Sequence, residues 1–178
     1  YSDAAQANLR AAEVDEAYIA ACNAQGFYPA LYYPHNIHFL WSASTMQGQS
    51  ALSIESARRV VENVRVEQVK AFPTIEFFRT VPLLSLVRFA KWDDILAEPQ
   101  PHEGFMFARS VWHYARGVAY AAKGLSEAAN AELAMLEPLK DDVSVRFLDS
   151  RDYPGSALVG IAIHLLHGEI AYRGGEFD

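Results

Sequence analysis

The sequence has few of the residues that build cross-linked, membrane-spanning or nucleic-acid-binding proteins. Cys22 is the single cysteine in 178 residues, which excludes a disulfide framework and a zinc site made of thiolates. The longest run without a charge or a histidine, residues 155–163, is far too short to cross a bilayer. Only 15 lysines and arginines stand against 22 aspartates and glutamates, and the net charge of −7 argues against nonspecific nucleic-acid binding.

Targeting and catalytic motifs are missing as well. No phosphate-binding loop, HExxH motif, calcium loop, dinucleotide fingerprint or nucleophile elbow occurs, and we expect no cofactor. No signal-peptide pattern is present, and the chain begins with Tyr1 rather than methionine. We therefore expect a soluble, cytoplasmic piece of a longer protein.

What is present is typical of an all-α fold. Hydrophobic residues make up 51% of the chain and charged residues 21%, an ordinary globular composition. Alanine is abundant, whereas Gly-Gly and Pro-Gly occur only near the C-terminus. Apolar spacing, caps and stops predict helices over residues 2–23, 34–47, 50–64, 74–90 with a break at Pro82, 92–96, 105–123, 126–138 and 156–173.

The same patterns predict how these helices begin and what lies between them. The N-caps would be Ser2 or Asp3, Ser50, Thr74 and Ser156, and Ser126 with Glu127 would begin the helix over residues 126–138. Gly26 would stop the first helix, and an aromatic connector would follow at residues 27–29. Residues 65–73 are predicted to be a linker. Residues 142–148 alternate in polarity and are predicted to be a short strand or an extended linker.

One layout recurs four times along the chain: an apolar helix, a tight stop and a second helix. The stops fall at Gly48, Ala90, Gly124 and Gly175. Their spacing of a few tens of residues is typical of helical solenoids. A single helical hairpin cannot bury its own apolar face, so we expect neighbouring hairpins to stack.

The best-defined unit resembles the tetratricopeptide repeat family. Residues 117–120 (Gly-Val-Ala-Tyr) are followed by Gly124, Ala129 and Leu133. This order matches the family's G-x2-Y, turn glycine and A-x3-F spacing, with leucine in place of phenylalanine. Further partial matches to the family are Gly168, Gly175 and Phe177 in the last unit and Trp92 after Ala90. The sequence departs from the family pattern with His113 at its Trp position, Arg116 at its Leu position and Pro138 earlier than its closing proline.

The resemblance implies a right-handed α-solenoid of about three and a half hairpins over residues 1–178. It also implies a non-enzymatic scaffold that binds a protein or peptide segment in a concave groove. The groove would be lined by the first helix of each hairpin, residues 34–47, 74–90, 105–123 and 156–173. An irregular helical bundle is the alternative.

Charge is distributed unevenly between these groove helices and the rest of the chain. They hold six basic residues, Arg79, Arg88, Arg109, Arg116, Lys123 and Arg173, against Glu76 and Glu169. A locally basic groove would suit an acidic peptide or a C-terminal carboxylate. The alternative is that these charges are solvated or paired within the protein.

Polar residues on two groove helices complete the candidate ligand site. His35 and His38 are three residues apart and share a helix face, which Ser42 and Thr45 continue. The candidate ligand-binding residues are His35, Asn36, His38, Arg109, His113, Arg116 and Tyr120.

Two arguments disagree on the direction of the polar side chains in the predicted helix 105–123. Arg109, His113, Arg116 and Tyr120 form one polar stripe, which polarity places on solvent or the groove. The glycine register of the resemblance instead places His113 and Arg116 at packed positions, where they need partners. The same register packs His164 and His167. We favour the polarity argument.

Other interpretations stay open. His35 and His38 with His113 or His164 would supply the three nitrogens of a metal-dependent enzyme or ligand pocket. Exposed ends of an array would instead favour a homo-oligomer. The aromatic residues Phe27, Tyr28, Tyr32, Tyr33, Phe39 and Trp41 line either a pocket or, as we prefer, a packed core.

Overall fold

A computed structural model describes residues 1–23 and 32–176. Within them lie ten α-helices and no β-strand, which confirms the all-α class. The α-helices are α1 (Ser2–Cys22), α2 (Tyr33–Met46), α3 (Ser50–Asn63), α4 (Val66–Ala71), α5 (Val81–Arg88), α6 (Trp92–Ala97), α7 (Met106–Ala122), α8 (Ser126–Leu136), α9 (Val143–Asp149) and α10 (Gly155–Gly174). Two 3-10 helices, Pro73–Thr80 and Glu137–Asp141, complete the set. The predicted stop at Gly26, the connector 27–29 and Phe177 lie outside the described residues.

Two segments that the sequence predicts to be irregular are helical. The predicted linker 65–73 contains α4, and residues 142–148 form most of α9 rather than a strand. In α9 the Asp142 side chain accepts a hydrogen bond from the Ser144 amide at 2.7 Å and so caps the helix. Val145 and Leu148 are buried three residues apart, while Val143 is 79% exposed. The burial therefore follows a helical period, not the alternation of polarity.

The details at helix starts also differ from the prediction. The helices near Ser2, Ser50 and Ser156 and the 3-10 helix near Thr74 begin without a capping side chain at the N-cap, so these predicted caps are wrong. The predicted helix start at Ser126 is confirmed, because α8 begins there. The predicted break at Pro82 is confirmed, because the 3-10 helix Pro73–Thr80 gives way to α5 beside it. Proline in the first turn of α5 loses no intrahelical hydrogen bond.

The four predicted stops are confirmed and share one geometry. Gly48, Ala90, Gly124 and Gly175 all have left-handed backbones, with φ of 74°, 55°, 73° and 79°. The residue after each stop donates its amide to a carbonyl five residues earlier: Gln49 to Ser44 (3.0 Å), Lys91 to Leu86 (2.9 Å), Leu125 to Tyr120 (2.9 Å) and Glu176 to Ala171 (2.9 Å). This is the Schellman pattern that ends a helix and turns the chain back.

The chain divides into two compact units, residues 1–85 and residues 86–178. In the first unit α2 packs against both α1 and α3, and the 3-10 helix Pro73–Thr80 packs against α3 and α4. Ile37, Leu40 and Val60 are fully buried there. The α2–α3 hairpin is closed by the Gly48 turn.

The second unit is built around α7. It forms a hairpin with α8 across the Gly124 turn, and α10 packs against both α7 and α8. α10 also contacts α9 and the 3-10 helix Glu137–Asp141. Leu136, Leu148 and Leu166 are fully buried in this core. A single array over residues 1–178 stays a prediction.

Gly117 lies where α7 and α10 pack closely against each other. A Cβ atom at this position would lie 2.5 Å from a terminal methyl of the fully buried Leu166. We expect Gly117→Ala to lower the free energy of unfolding by about 1–3 kcal/mol, because overpacking outweighs alanine's better helix propensity. Chemical denaturation followed by circular dichroism measures the change.

Gly168 on α10 supplies the matched control. A Cβ atom there meets no atom within 4 Å, so Gly168→Ala should stabilise the protein by up to about 1 kcal/mol. If Gly117→Ala stabilised the protein as well, the close approach of the two helices would be contradicted.

Candidate functional site

The seven predicted site residues fall into two groups. His35, Asn36 and His38 lie on α2 in the first unit, and residues 109, 113, 116 and 120 lie on α7 in the second unit. The structure gives each group its own set of partners.

Asn36 and His35 have different surroundings on α2. The Asn36 side chain donates a hydrogen bond to Asp15 Oδ2 at 2.8 Å, and Asp15 is buried. Asn36 therefore ties α2 to α1. His35 is exposed, and its ring lies 4.6 Å from the ring of Phe39. Of these two residues, His35 is the one that reaches solvent.

His38 belongs to an aromatic cluster. Its ring centroid lies 4.9 Å from that of Trp41, 5.3 Å from Phe78 and 5.5 Å from Phe77. Burial, with a contribution from the nearby His35, lowers the pKa of His38 to about 4. The imidazole is therefore neutral at physiological pH, and it packs with the neighbouring rings.

The exposed face of α2 is rotated relative to the predicted one. Thr45 is internal: its hydroxyl donates to the Trp41 carbonyl at 2.7 Å and lies 2.6 Å from Ser53 Oγ. The residues that face solvent are Tyr32, His35, Phe39, Ser42 and Met46, which we call the α2 stripe. Tyr33 is buried as the core interpretation predicts, but Tyr32, Phe39 and Met46 are about half exposed.

A carboxylate that the sequence reasoning missed organises the second group. Glu132 on α8 places Oε2 2.7 Å from His113 Nδ1, and its Oε1 accepts from Arg116 Nε at 2.7 Å. His113 is buried. Burial alone would raise the pKa of Glu132, but the hydrogen bonds from His113 and Arg116 outweigh it and hold the pKa below its usual value.

Arg116 is fully engaged inside the protein. Nη1 donates to the Leu96 carbonyl at 3.3 Å and Nη2 to the Tyr120 hydroxyl at 2.9 Å. Its guanidinium carbon also lies 4.5 Å from the centre of the Trp112 ring. For Arg116 and His113 the polarity argument is therefore wrong, because Glu132 allows both to occupy packed positions.

The register argument in turn is wrong for the last helix. His164 and His167 are both exposed on α10. His167 Nε2 lies 3.2 Å from Glu137 Oε1. α10 buries Val159 and Leu166 instead.

Three of the six basic residues of the predicted groove pair with a carboxylate within the protein, and a fourth donates to a backbone carbonyl. Lys123 pairs with Asp93 at 2.6 Å, Arg173 with Glu169 at 2.9 Å and Arg116 with Glu132, while Arg79 donates to the Val64 carbonyl. Arg109 is different: it is half-buried, and its side chain makes no hydrogen bond or ion pair with residues 1–23 or 32–176. Exposed Arg88 likewise has no such partner in that part of the chain.

The described residues show neither a metal-binding cluster nor a membrane-spanning helix. No group of three or more histidine, cysteine, aspartate or glutamate side chains there is arranged to hold a metal ion. None of the described helices combines the length and apolar character that crossing a bilayer needs. Comparisons with known proteins find no family model, no curated protein and no solved structure that matches this chain.

Proposed function

We propose that the chain is a helical-repeat scaffold, similar to tetratricopeptide repeats, that binds an acidic protein segment or a C-terminal carboxylate. The repeat assignment is supported by the four turns of one geometry and by the α2–α3 and α7–α8 hairpins. It is also supported by α10, which packs on both helices of the α7–α8 hairpin, as the next first helix of a solenoid does.

The unpaired Arg109 carries this proposal. A guanidinium that is half removed from water without an anion nearby is unfavourable. A carboxylate from a ligand would supply the missing partner through two parallel hydrogen bonds. Arg116 on α7 and Lys123 directly after it already have carboxylate partners.

The surface next to Arg109 is rigidly held. Trp112, one turn further along α7, donates from Nε1 to the Glu98 carbonyl at 3.1 Å. Arg116 stacks on the Trp112 ring and is fixed by Glu132. His113, Arg116 and Tyr120 therefore act as positioning residues, and a surface fixed before binding loses less entropy when the ligand arrives.

The α2 stripe offers a second contact surface of a different kind. It contains Phe39 and Met46, both about half exposed, and no formally charged residue. Exposed methionine and aromatic side chains are enriched at protein interfaces. In the proposed scaffold this stripe is a binding surface of the first unit by itself, suited to apolar side chains.

Arg109→Ala tests the proposal with a fluorescein-labelled, glutamate-rich decapeptide that ends in a free carboxylate. We expect binding, followed by fluorescence polarisation, to weaken about tenfold, because a charge-assisted hydrogen bond is lost. The dependence of affinity on salt should also decrease.

Arg10→Ala is the matched control, since it removes the same charge from an exposed site on α1, outside the groove helices. It should change the affinity less than about twofold. The amidated peptide separates a terminal carboxylate from acidic side chains as the group recognised. Equal affinity of wild type and Arg109→Ala would reject Arg109 as the binding cation.

A further inference from the structure

α10 has apolar residues on two nearly opposite faces. Residues 155–168 contain no aspartate, glutamate, lysine or arginine. One face buries Val159 and Leu166 against the rest of the second unit. The other face exposes large side chains: Leu158 is 37% exposed, Ile161 54%, Leu165 55% and Tyr172 60%.

These exposed side chains form a continuous line, which we call the α10 stripe: Leu158, Ile161, Leu165, Gly168 and Tyr172. The steps of three and four residues keep all five on one side of the helix. The line is about 21 Å long at 1.5 Å per residue. A continuous apolar stripe on a soluble protein ordinarily marks an interaction surface, and this one has no cover among the described residues.

We propose that the α10 stripe is the interface of a homodimer in which two α10 helices pack antiparallel. The stripe is self-complementary about Leu165. A two-fold axis there brings Leu165 against its own copy and Leu158 opposite Tyr172 of the second copy. The same patch on both partners is what a two-fold dimer requires.

The same axis places Ile161 opposite position 169 of the second copy, one residue (about 1.5 Å along the helix) from Gly168. A Cβ atom at Gly168 would meet nothing within 4 Å, so the glycine leaves a depression on the surface of α10. A large side chain facing a small residue lets two helices approach closely and interlock. The large and small residues of the stripe are therefore arranged to fit a reversed copy.

Electrostatics also permit this pairing. No formal charge lies between residues 155 and 168, so no like charges meet at the axis. The two charges that follow, Glu169 and Arg173, pair with each other at 2.9 Å. His167 Nε2 lies 3.2 Å from Glu137 Oε1, so this side chain has a partner within its own copy.

The surface area of the α10 stripe limits the affinity that we expect for the dimer. Four side chains that are about half exposed contribute a few hundred Å² per copy, less than the ~800 Å² per partner of a standard stable interface. We therefore expect a reversible dimer with a dissociation constant in the micromolar range. The inference does not depend on Arg109 or on ligand binding.

Sedimentation equilibrium between about 1 and 100 µM tests the proposal. The average mass of the wild type should rise from monomer toward dimer over this range. Leu165→Glu should remain monomeric, because two carboxylates would meet at the axis. Val143→Glu is the matched control: it replaces an exposed apolar residue on α9 and should dimerise like the wild type.

Cross-linking identifies the contact itself. In a Cys22→Ser background, Leu165→Cys should form a disulfide-linked dimer on mild oxidation, because that position lies on the axis. Val143→Cys should remain monomeric. Circular dichroism confirms that each variant is folded.

A wild type that stays monomeric at all concentrations would overturn the proposal and assign the stripe to another partner helix. A dimer that survives Leu165→Glu would overturn it as well.

Discussion

Glu132→Ala should lower the free energy of unfolding of the second unit by about 3 kcal/mol. The substitution removes the carboxylate that His113 and Arg116 share, at 2.7 Å from each. The three side chains are only 7%, 17% and 12% exposed for His113, Arg116 and Glu132. The loss therefore leaves a guanidinium and an imidazole out of water without their anion.

The expected loss of about 3 kcal/mol lies at the lower end of the range measured when one partner of a buried ion pair is removed. Arg116 keeps its hydrogen bonds to the Leu96 carbonyl and the Tyr120 hydroxyl. It also keeps the contact with the Trp112 ring. These contacts satisfy part of the guanidinium, so the penalty falls below the ~5 kcal/mol upper value for such substitutions.

Asp93→Ala provides the comparison for the Glu132 variant. The Lys123–Asp93 pair is also short, at 2.6 Å, but its side chains are 37% and 89% exposed. An exposed pair contributes about 0–1 kcal/mol, because water and salt screen it. Chemical denaturation of both variants gives the two values. Equal destabilisation by Asp93→Ala and Glu132→Ala would contradict the central role of Glu132.

The lowered pKa of Glu132 adds a pH dependence with a definite sign. The unfolded carboxyl binds protons more readily than the folded one, so its stabilising effect is present above the ordinary pKa of 4.5. That effect is lost as pH falls through the lower folded pKa. Glu132→Ala should therefore lose less stability on acidification than the wild type loses.

The same geometry determines which arginine is informative for ligand binding. Arg116→Ala breaks the Glu132 cluster, so a loss of binding in that variant would follow from damaged packing alone. Arg109 has no such internal partner. Its removal therefore reports on the ligand and not on the fold.

Local sequence signals predicted the helix ends well. Gly48, Gly124 and Gly175 all take up the left-handed backbone that glycine adopts without penalty. Ala90 follows the same pattern, although its φ of 55° is less favourable for a residue with a Cβ atom. These stops depend on a few neighbouring residues, which is why one sequence is enough to find them.

Short helices and side-chain partners are harder to predict from the sequence, because both depend on contacts between residues that are distant along the chain. α9 was missed because its alternation in polarity hides the helical period of the buried pair Val145 and Leu148. The stripe on α7 was assigned to solvent because nothing in α7 shows that Glu132, on the next helix, binds it. On α2 the predicted face was rotated, so Phe39 and Met46 were missed.

Acidification should also destabilise the first unit, through His38. Its imidazole packs among Trp41, Phe77 and Phe78. Burial and the neighbouring His35 lower its pKa from 6.5 to about 4. The folded state therefore binds the proton less readily than the unfolded state does. The contribution of His38 to the free energy of unfolding is constant above pH 6.5 and decreases as the pH drops below 6.5.

The size of the effect follows from the shift. Each pH unit between 6.5 and 4 removes about 1.4 kcal/mol, so the loss from His38 approaches about 3 kcal/mol at pH 4. In His38→Phe an aromatic ring fills the same space without titrating, so this part of the pH dependence should disappear. Chemical denaturation midpoints measured from pH 7 to pH 4 give both curves.

A second variant shows whether the pH dependence comes from His38 or from any histidine of the chain. His164→Gln removes an exposed histidine from the second unit and should leave the steep fall below pH 6.5 unchanged. A His38→Phe variant with the wild-type slope would show that protonation of His38 does not oppose folding. A flattened slope in that variant alone would establish that the neutral imidazole of His38 is a packed member of the aromatic cluster, because only a buried neutral ring opposes its own protonation in this way.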